Sequence, residues 1–235
     1  ACHAFLWDPT RLEDTRRALA KYRALAERHA NVLSPPERLA QSVVAEVGAY
    51  LAALTACDLA GADGSFERVR SLAEESPLMV ATFSLDAIHA GRALGEGRLD
   101  DLQAILLRIS ERPGTDNRSA LLSQYYTARL IEARGGLASL ASLATEFPKS
   151  MQSMRPSQRT YAVLFSARLS VKLGAYDQAR SLLSSISMDH IARMPVRYGD
   201  LGALAFLAEA YEGLGDRNGA IALYTKLLPY AGLNA

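Results

Sequence analysis

Apolar residues recur at helical spacing along almost the whole chain, and alanine and leucine carry most of that pattern. A first helix is predicted from about Pro9 to His29. The segment "LSPPERLA" then interrupts the pattern, with Ser34 suited to cap a second helix whose first turn accepts two prolines and which extends to about Leu59. Runs of β-branched residues bounded by turns are scarce. The pattern therefore predicts an all-α protein.

Glycines follow at regular intervals, and mostly apolar residues stand two and five positions after each of them. The glycines that set this period are Gly64, Gly97, Gly136, Gly174 and Gly215. Their spacing is close to that of two-helix solenoid repeats, which begin at about 34 residues. We expect one domain over residues 1–235, with long helices over 1–62 and about five degenerate helix-turn-helix repeats over 63–235, stacked as an α-α superhelix.

The clearest repeat is "LAFLAEAYEGLGDRNGAIALYTKLLPYAG", from Leu204 to Gly232. It resembles a tetratricopeptide repeat in the spacing of Leu207, Ala208, Tyr211, Gly215, Ala220 and Tyr224. In such a unit Gly215 permits the tight turn and the two alanines are small where the helices cross. Leu204, Tyr211 and Tyr224 are expected to fill the space around that crossing. Earlier copies match less well; Ser170, for example, stands where the last copy has Tyr211.

The final ninety or so residues also resemble one bacterial group. In order, "LATEFP", "VKLGAYDQARSLL", "IARMPVRYGDLGALAFLAEAYEGLGD" and "AIALYTKLLPYAG" are similar to the helical carboxyl-terminal region of multidomain signalling ATPases. These proteins join a cyclase, kinase or LuxR-type DNA-binding output to an AAA or STAND ATPase module and a tetratricopeptide-like tail. The resemblance implies that this chain is the sensor and interaction tail of a longer protein. A Walker-type phosphate loop does not occur in it.

Composition narrows the classes of partner. The chain has 26 Lys plus Arg against 25 Asp plus Glu, so no overall field attracts nucleic acid or an anionic membrane. Its most apolar segment, Ser42 to Ala62, is interrupted by Glu46 and Asp58, which argues against a membrane span. Two cysteines make no disulfide framework or zinc motif and favour the cytoplasm. The four histidines are scattered, and we expect neither a metal nor another cofactor.

Binding is the activity that remains. In tetratricopeptide arrays the first helix of each repeat lines a concave groove, and side chains next to the packing positions contact the partner. The residues that this resemblance nominates are Tyr125, Arg129, Tyr161, Phe165, Arg168, Lys172, Phe206 and Glu209. Their aromatic and basic character suits an extended peptide or an acidic helix. The prediction that Phe165 and Arg168 belong to this groove would fail if both were buried between repeats.

Three functions follow from different classes. The favoured one is a regulatory module, without enzymatic activity, that binds a protein, a peptide or a small inducer and relays its occupancy to an attached ATPase. The second is a separate scaffold that forms a homodimer through its amino-terminal helices. The third is an enzyme with a site in a helical toroid, for which the sequence offers no convergent acid, base or metal set.

Overall fold

The computed structural model describes residues 12–29, 31–75, 78–112, 117–150, 156–193 and 198–231. These residues form twelve α-helices and one short 3-10 helix, Leu228–Tyr230, and contain no β-strand. The helices are α1 (Leu12–Arg28), α2 (Pro35–Thr55), α3 (Leu59–Glu75), α4 (Met79–Gly95), α5 (Leu99–Glu111), α6 (Asn117–Ala133), α7 (Leu137–Ser150), α8 (Pro156–Lys172), α9 (Tyr176–Ser184), α10 (Met188–Arg193), α11 (Tyr198–Leu214) and α12 (Arg217–Leu227). The predicted all-α class is confirmed.

The start of α2 follows the sequence prediction. Ser34 precedes the helix in extended conformation, and its backbone N–H and hydroxyl both donate to the Glu37 carboxylate, at 2.9 and 2.6 Å. These bonds lower the pKa of Glu37 below its ordinary value. The helix ends at Thr55, four residues before the predicted end at Leu59.

That earlier end is the first of five equivalent turns. In each, one residue has a positive φ, and the turn carries the same two hydrogen bonds. At Gly97 the backbone N–H donates to the Leu94 carbonyl at 3.2 Å, and the next N–H, of Arg98, donates to the Ala93 carbonyl at 2.8 Å. This pair of bonds is the Schellman motif, which closes a helix and lets the chain reverse. The five turn residues are Cys57, Gly97, Gly135, Gly174 and Gly215.

The turns recur at intervals of 40, 38, 39 and 41 residues. A second helix starts two residues after each turn residue, so α2–α3, α4–α5, α6–α7, α8–α9 and α11–α12 are five helix-turn-helix pairs. Two predicted turn positions were wrong. Gly64 lies inside α3, and Cys57, a free and exposed cysteine, takes the left-handed turn conformation instead. In the third pair Gly135 takes that role, one residue before Gly136.

The described residues form two compact units, and the boundary between them lies inside α4. Of the described residues, unit 1 comprises those up to Arg92 together with Tyr198, Tyr230 and Ala231, and unit 2 comprises those from Ala93 to Arg193 and from Gly199 to Pro229. In unit 1, α2, α3 and α4 share an apolar core that contains Tyr50, Ala53, Ala62, Phe66, Val69 and Ile88. In unit 2 the fully buried apolar side chains include Leu102, Ile109, Leu140, Leu164, Leu169, Leu204, Leu207 and Leu223. Within the described part of the chain, no helix is both long enough and apolar enough to cross a membrane.

The last helix pair packs differently from the prediction. Gly219, not Ala220, is the small residue at the crossing of α11 and α12: a Cβ at that position would lie 2.6 Å from Cε1 of Tyr211. Tyr211 is buried as expected, whereas Ala220 and Tyr224 are exposed. The expectation that Tyr224 fills the crossing was wrong, because Leu223 occupies the inward position of α12.

Candidate functional site

The structure brings all eight predicted binding residues together in unit 2. Tyr125 and Arg129 belong to α6, the residues from Tyr161 to Lys172 belong to α8, and Phe206 and Glu209 belong to α11. These three helices are the first members of consecutive helix pairs. Their shared turn register places the eight side chains on neighbouring faces, and we call the resulting cluster, completed by Glu132, the Arg168 hub.

Four aromatic rings form one half of the hub. The centroid of Tyr125 lies 5.5 Å from that of Phe165 and 5.8 Å from that of Phe206. Tyr161 contacts Phe206 at 5.6 Å, and Phe165 contacts Phe206 at 5.3 Å. Two of these four pairs, Tyr125–Phe165 and Tyr161–Phe206, are edge-to-face, the arrangement that the ring quadrupole favours at about 0.5–1.5 kcal/mol beyond burial, and the other two are tilted. The rings thus join α6, α8 and α11 through one apolar contact zone.

Charged groups form the other half. Nη1 and Nη2 of Arg168 donate to the two carboxylate oxygens of Glu132, at 2.6 and 3.0 Å, and its Nε donates to Glu209 at 2.8 Å. Arg129 approaches Glu132 at 3.1 Å, and Lys172 approaches Glu209 at 3.5 Å. Three cations and two carboxylates therefore alternate across the three helices.

Arg168 is the link between the two halves. Its guanidinium carbon lies 5.4 Å from the centroid of the Phe206 ring, a cation–π distance. The side chain is 1% exposed. Burial alone would lower the pKa of Arg168, but the hydrogen bonds and negative charges of Glu132 and Glu209 outweigh it and raise the pKa above its ordinary value. The guanidinium consequently stays charged in the interior, as a planar five-donor group held by two carboxylates.

The tyrosines at the aromatic end are also affected by burial. Desolvation raises the pKa of both Tyr161 and Tyr125 above the ordinary value, and the neighbouring Tyr125 and Tyr126 add to the effect at Tyr161. Arg129 and Arg168 act in the opposite direction, since a positive charge favours the phenolate, but desolvation prevails. Both phenols therefore remain neutral at physiological pH.

The prediction of an open groove was wrong for three of the eight residues. Phe165 and Arg168 are each 1% exposed, and Phe206 is buried as well. The first helices of these pairs, α6, α8 and α11, lie close enough for their facing side chains to contact one another. These three residues therefore hold the helices together and are not exposed to solvent. Tyr125, Arg129, Tyr161, Lys172 and Glu209 keep partial exposure and form the accessible rim of the hub.

Sequence reasoning missed Glu132, which completes the hub. The signal for it is its position three residues after Arg129 on α6 and 36 before Arg168, because a buried arginine needs a carboxylate within reach. A comparable centre in unit 1 was missed as well. There the buried Glu46 of α2 accepts from Arg23 of α1 at 2.7 Å and from Arg68 of α3 at 2.6 Å. Each unit thus uses a charged side chain to connect three helices.

A separate cleft of about 510 Å³ lies between α5, α6 and α7 of unit 2. Leu106, Leu107 and Leu130 give it apolar walls. Arg134 at its edge is held by Asp100 at 2.6 Å and by Gln103 at 2.5 Å. Among the described residues, no group of three or more His, Cys, Asp or Glu side chains is arranged to hold a metal ion.

Similarity to known proteins adds no assignment to this geometry. The resemblances to a tetratricopeptide repeat and to signalling ATPases therefore stay predictions. Protein-family models, curated proteins and solved structures were compared with the chain, and none of them matches.

Proposed function

We propose that this chain is a tetratricopeptide-like interaction module that binds a protein or peptide partner and has no enzymatic activity of its own. Following the resemblance of its last ninety or so residues, we assign it to a cytoplasmic bacterial signalling or transcription regulator, where the module relays occupancy to an attached ATPase. A small inducer remains an alternative ligand.

The observation that carries this proposal is the fivefold Schellman turn. One backbone turn conformation, with the same two hydrogen bonds, recurs every 38–41 residues and is followed each time by a new helix. A recurrence of this kind supports a stack of like units, because one helix pair cannot bury its own apolar face and gains a core only from its neighbours.

The Arg168 hub gives the module a way to respond to a partner. Its rim residues Lys172, Glu209 and Arg129 are partly exposed, yet they contact the groups that hold α6, α8 and α11 together. A partner that forms an ion pair with Glu209 competes directly with Arg168 for that carboxylate. Binding at the rim would therefore weaken the contact between Arg168 and Glu209 and favour a different angle between successive helix pairs. A conformational relay needs such a contact, one that differs between the free and the bound state.

Site-specific photo-crosslinking in the host cell tests the proposal. A photoreactive amino acid replaces Lys172 on the rim, and the control replaces Gln178, an exposed residue of α9 outside the hub. We expect a discrete crosslinked protein at position 172 that is absent at position 178, identified by mass spectrometry.

Three other outcomes separate the alternatives. A crosslinked product composed of two copies of this chain would favour the scaffold hypothesis. A small molecule retained in native mass spectrometry, without a protein crosslink, would favour an inducer. The same products at both positions would contradict a binding role for the rim.

A further inference from the structure

We propose that the cleft between α5, α6 and α7 binds an uncharged amphipathic small molecule. The apolar chain of the ligand would lie against the leucines of the cleft, and an N–H or O–H group at one end would donate to the side-chain oxygen of Gln124. The volume of about 510 Å³ lies within the range of small-molecule sites, about 300–1,000 Å³. The cleft shares no lining residue with the Arg168 hub, so it is a site additional to the partner site at the rim of the hub.

The internal repetition provides a reference for this cleft. A smaller cleft of about 270 Å³ lies at the equivalent place in unit 1, between α1, α2 and α3. In each cleft the helix that precedes the pair lines one wall with four residues at the same spacing, from Arg16 to Arg23 on α1 and from Gln103 to Ser110 on α5. Ala49 of α2 and Thr127 of α6, which line the floors, both lie eight residues before their turn residue. The two clefts can therefore be compared position by position.

In unit 1, arginine side chains occupy the cleft. Arg23 and Arg68 both line it, and they donate to the carboxylate of Glu46 at 2.7 and 2.6 Å. Glu46 is buried and lies eleven residues before the turn residue Cys57. The two arginines thus fill space between the helices and supply the hydrogen bonds that a buried acceptor needs.

In unit 2 the acceptor is kept, but the donor from the preceding helix is missing. Gln124 lies eleven residues before Gly135 and so corresponds to Glu46, whereas Ser110 stands in the place of Arg23. The hydroxyl of Ser110 donates to the Leu107 carbonyl of its own helix, at 2.7 Å. Oε1 of Gln124 is buried and accepts no hydrogen bond from any described residue.

A molecule in the cleft is well placed to supply the missing donor. Gln124 lies between Ser123 and Thr127 on α6, and both of these residues line the cleft. In unit 1, the groups that reach the equivalent carboxylate are themselves part of the lining. A buried acceptor without a donor destabilises the protein, so a ligand that donates to Gln124 recovers this loss as binding free energy.

The walls of the cleft select an apolar chain without a charge. Leu106 and Leu130 are buried in the walls, whereas Leu107 is 58% exposed there. Arg134 is the one charged residue that lines the cleft among the described residues, and Asp100 and Gln103 already hold it. An ionised ligand group would therefore lose its hydration without gaining a free counter-charge, which is costly.

Binding of two amides to the full chain, measured by isothermal titration calorimetry, tests the proposal. Octanamide has an eight-carbon chain and an N–H donor, and N,N-dimethyloctanamide has the same chain without a donor. We expect octanamide to bind roughly tenfold more tightly, because it alone can donate to Gln124. Octanoate, which is charged and has no donor, should bind more weakly than octanamide.

Two variants connect this binding to the cleft. Gln124→Leu removes the acceptor, so the affinity for octanamide should fall to that for the dimethyl compound. Ser110→Arg restores the arginine of unit 1 and should abolish binding, because the new side chain occupies the cleft and donates to Gln124. The matched control is Ser181→Arg, at an exposed position of α9 outside the cleft, which should bind octanamide as the wild type does. Circular dichroism of each variant separates lost binding from lost folding.

Four results would overturn the proposal. Failure of octanamide to bind would mean that water alone fills the cleft. Equal affinities for the two amides would show that Gln124 receives no donor from the ligand. Tighter binding of octanoate would contradict an uncharged ligand, and unchanged binding in folded Ser110→Arg would place the amide elsewhere. None of these measurements involves a protein partner at Lys172, so this proposal and the proposed function fail separately.

Discussion

Arg168 and Glu132 form a two-pronged ion pair between α8 and α6, with oxygen–nitrogen distances of 2.6 and 3.0 Å, and the guanidinium is 1% exposed. Glu132 is itself largely covered. The pair differs from the many surface ion pairs of this chain, such as Arg180–Asp177, in which both partners remain in water. A buried pair holds two helices at a fixed separation, because loss of either partner leaves an uncompensated charge.

Removal of Arg168 should therefore destabilise the fold strongly. We expect Arg168→Ala to lower the free energy of unfolding by about 3–5 kcal/mol, since Glu132 loses its two-pronged partner inside the protein. Arg168→Lys keeps the charge but not the fork, so its loss should be intermediate. Urea denaturation monitored by circular dichroism gives these values.

Lys172→Ala is the matched control, because Lys172 touches the same Glu209 from a partly exposed position on the same helix. Its effect should stay within about 1 kcal/mol. If Arg168→Ala proved as mild as Lys172→Ala, the hub would not be what holds α6, α8 and α11 together.

The sequence predicted which residues form the hub better than it predicted how deeply they are buried. All eight nominated residues meet because helical periodicity and turn spacing, both readable in the sequence, determine which faces adjoin. Burial of Phe165 and Arg168 depends on how closely consecutive first helices approach, and that distance is set by many side chains at once. Glu132 could be found only after the burial of Arg168 was known.

The turns, too, were predictable from the sequence in part only. Four of the five lie at or next to a predicted glycine, because glycine is the residue that adopts a positive φ without strain. The first turn uses Cys57, at φ 55°, and no local signal distinguishes this cysteine from an ordinary helical residue. The glycine spacing therefore predicts the first turn at Gly64, the nearest glycine that fits the period.

Stability at high pH should report on the buried tyrosines. Burial raises the pKa of Tyr161 above its ordinary value of 10.0, so above pH 10 the unfolded chain ionises this phenol while the folded chain keeps it neutral. The unfolded state then binds fewer protons, and the free energy of unfolding falls as pH rises, by up to about 1.4 kcal/mol per pH unit for one such group. Below pH 10 the group has little effect.

Tyr161→Phe removes the ionisable group and should make the alkaline slope shallower by up to one proton. Tyr125→Phe should act in the same direction, because burial also raises the pKa of Tyr125. Urea titrations at several pH values between 8 and 11 measure the slope. An unchanged slope in both variants would show that these phenols ionise equally in the folded and unfolded chain.

Two glycines at the end of α4 should respond to alanine with opposite signs. A Cβ would meet nothing within 4 Å at either Gly95 or Gly97, so the two sites differ in backbone conformation and not in space. Gly97 has φ 72°, and Gly97→Ala should cost about 1 kcal/mol because an L side chain is strained there. Gly95 is helical, and Gly95→Ala should stabilise by about 0.5–1 kcal/mol. Thermal or urea unfolding of the two variants gives the comparison.

Cys57→Gly is the reverse experiment at the first turn. Relief of the strained φ outweighs the extra freedom that glycine gives the unfolded chain, so this variant should be at least as stable as the wild type. A loss of stability in Cys57→Gly together with a gain in Gly97→Ala would contradict the equivalence of the five turns.

The crossing of α11 and α12 depends on the absence of a side chain at Gly219. Its added Cβ would lie 2.6 and 2.7 Å from Cε1 and Cδ1 of Tyr211, a residue that is buried. Gly219→Ala should therefore lower the free energy of unfolding by about 1–3 kcal/mol through overpacking. Asn218→Ala, at the exposed neighbouring position of α12, is the control and should change it by no more than about 0.5 kcal/mol.

A double-mutant cycle with Tyr211→Leu isolates the contact. The smaller side chain leaves space for the new methyl group, so Gly219→Ala should cost much less in the Tyr211→Leu background than in the wild type, a coupling of about 1 kcal/mol or more. Strictly additive losses would mean that the alanine acts through α12 alone, and that the ring of Tyr211 does not set the distance between the two helices.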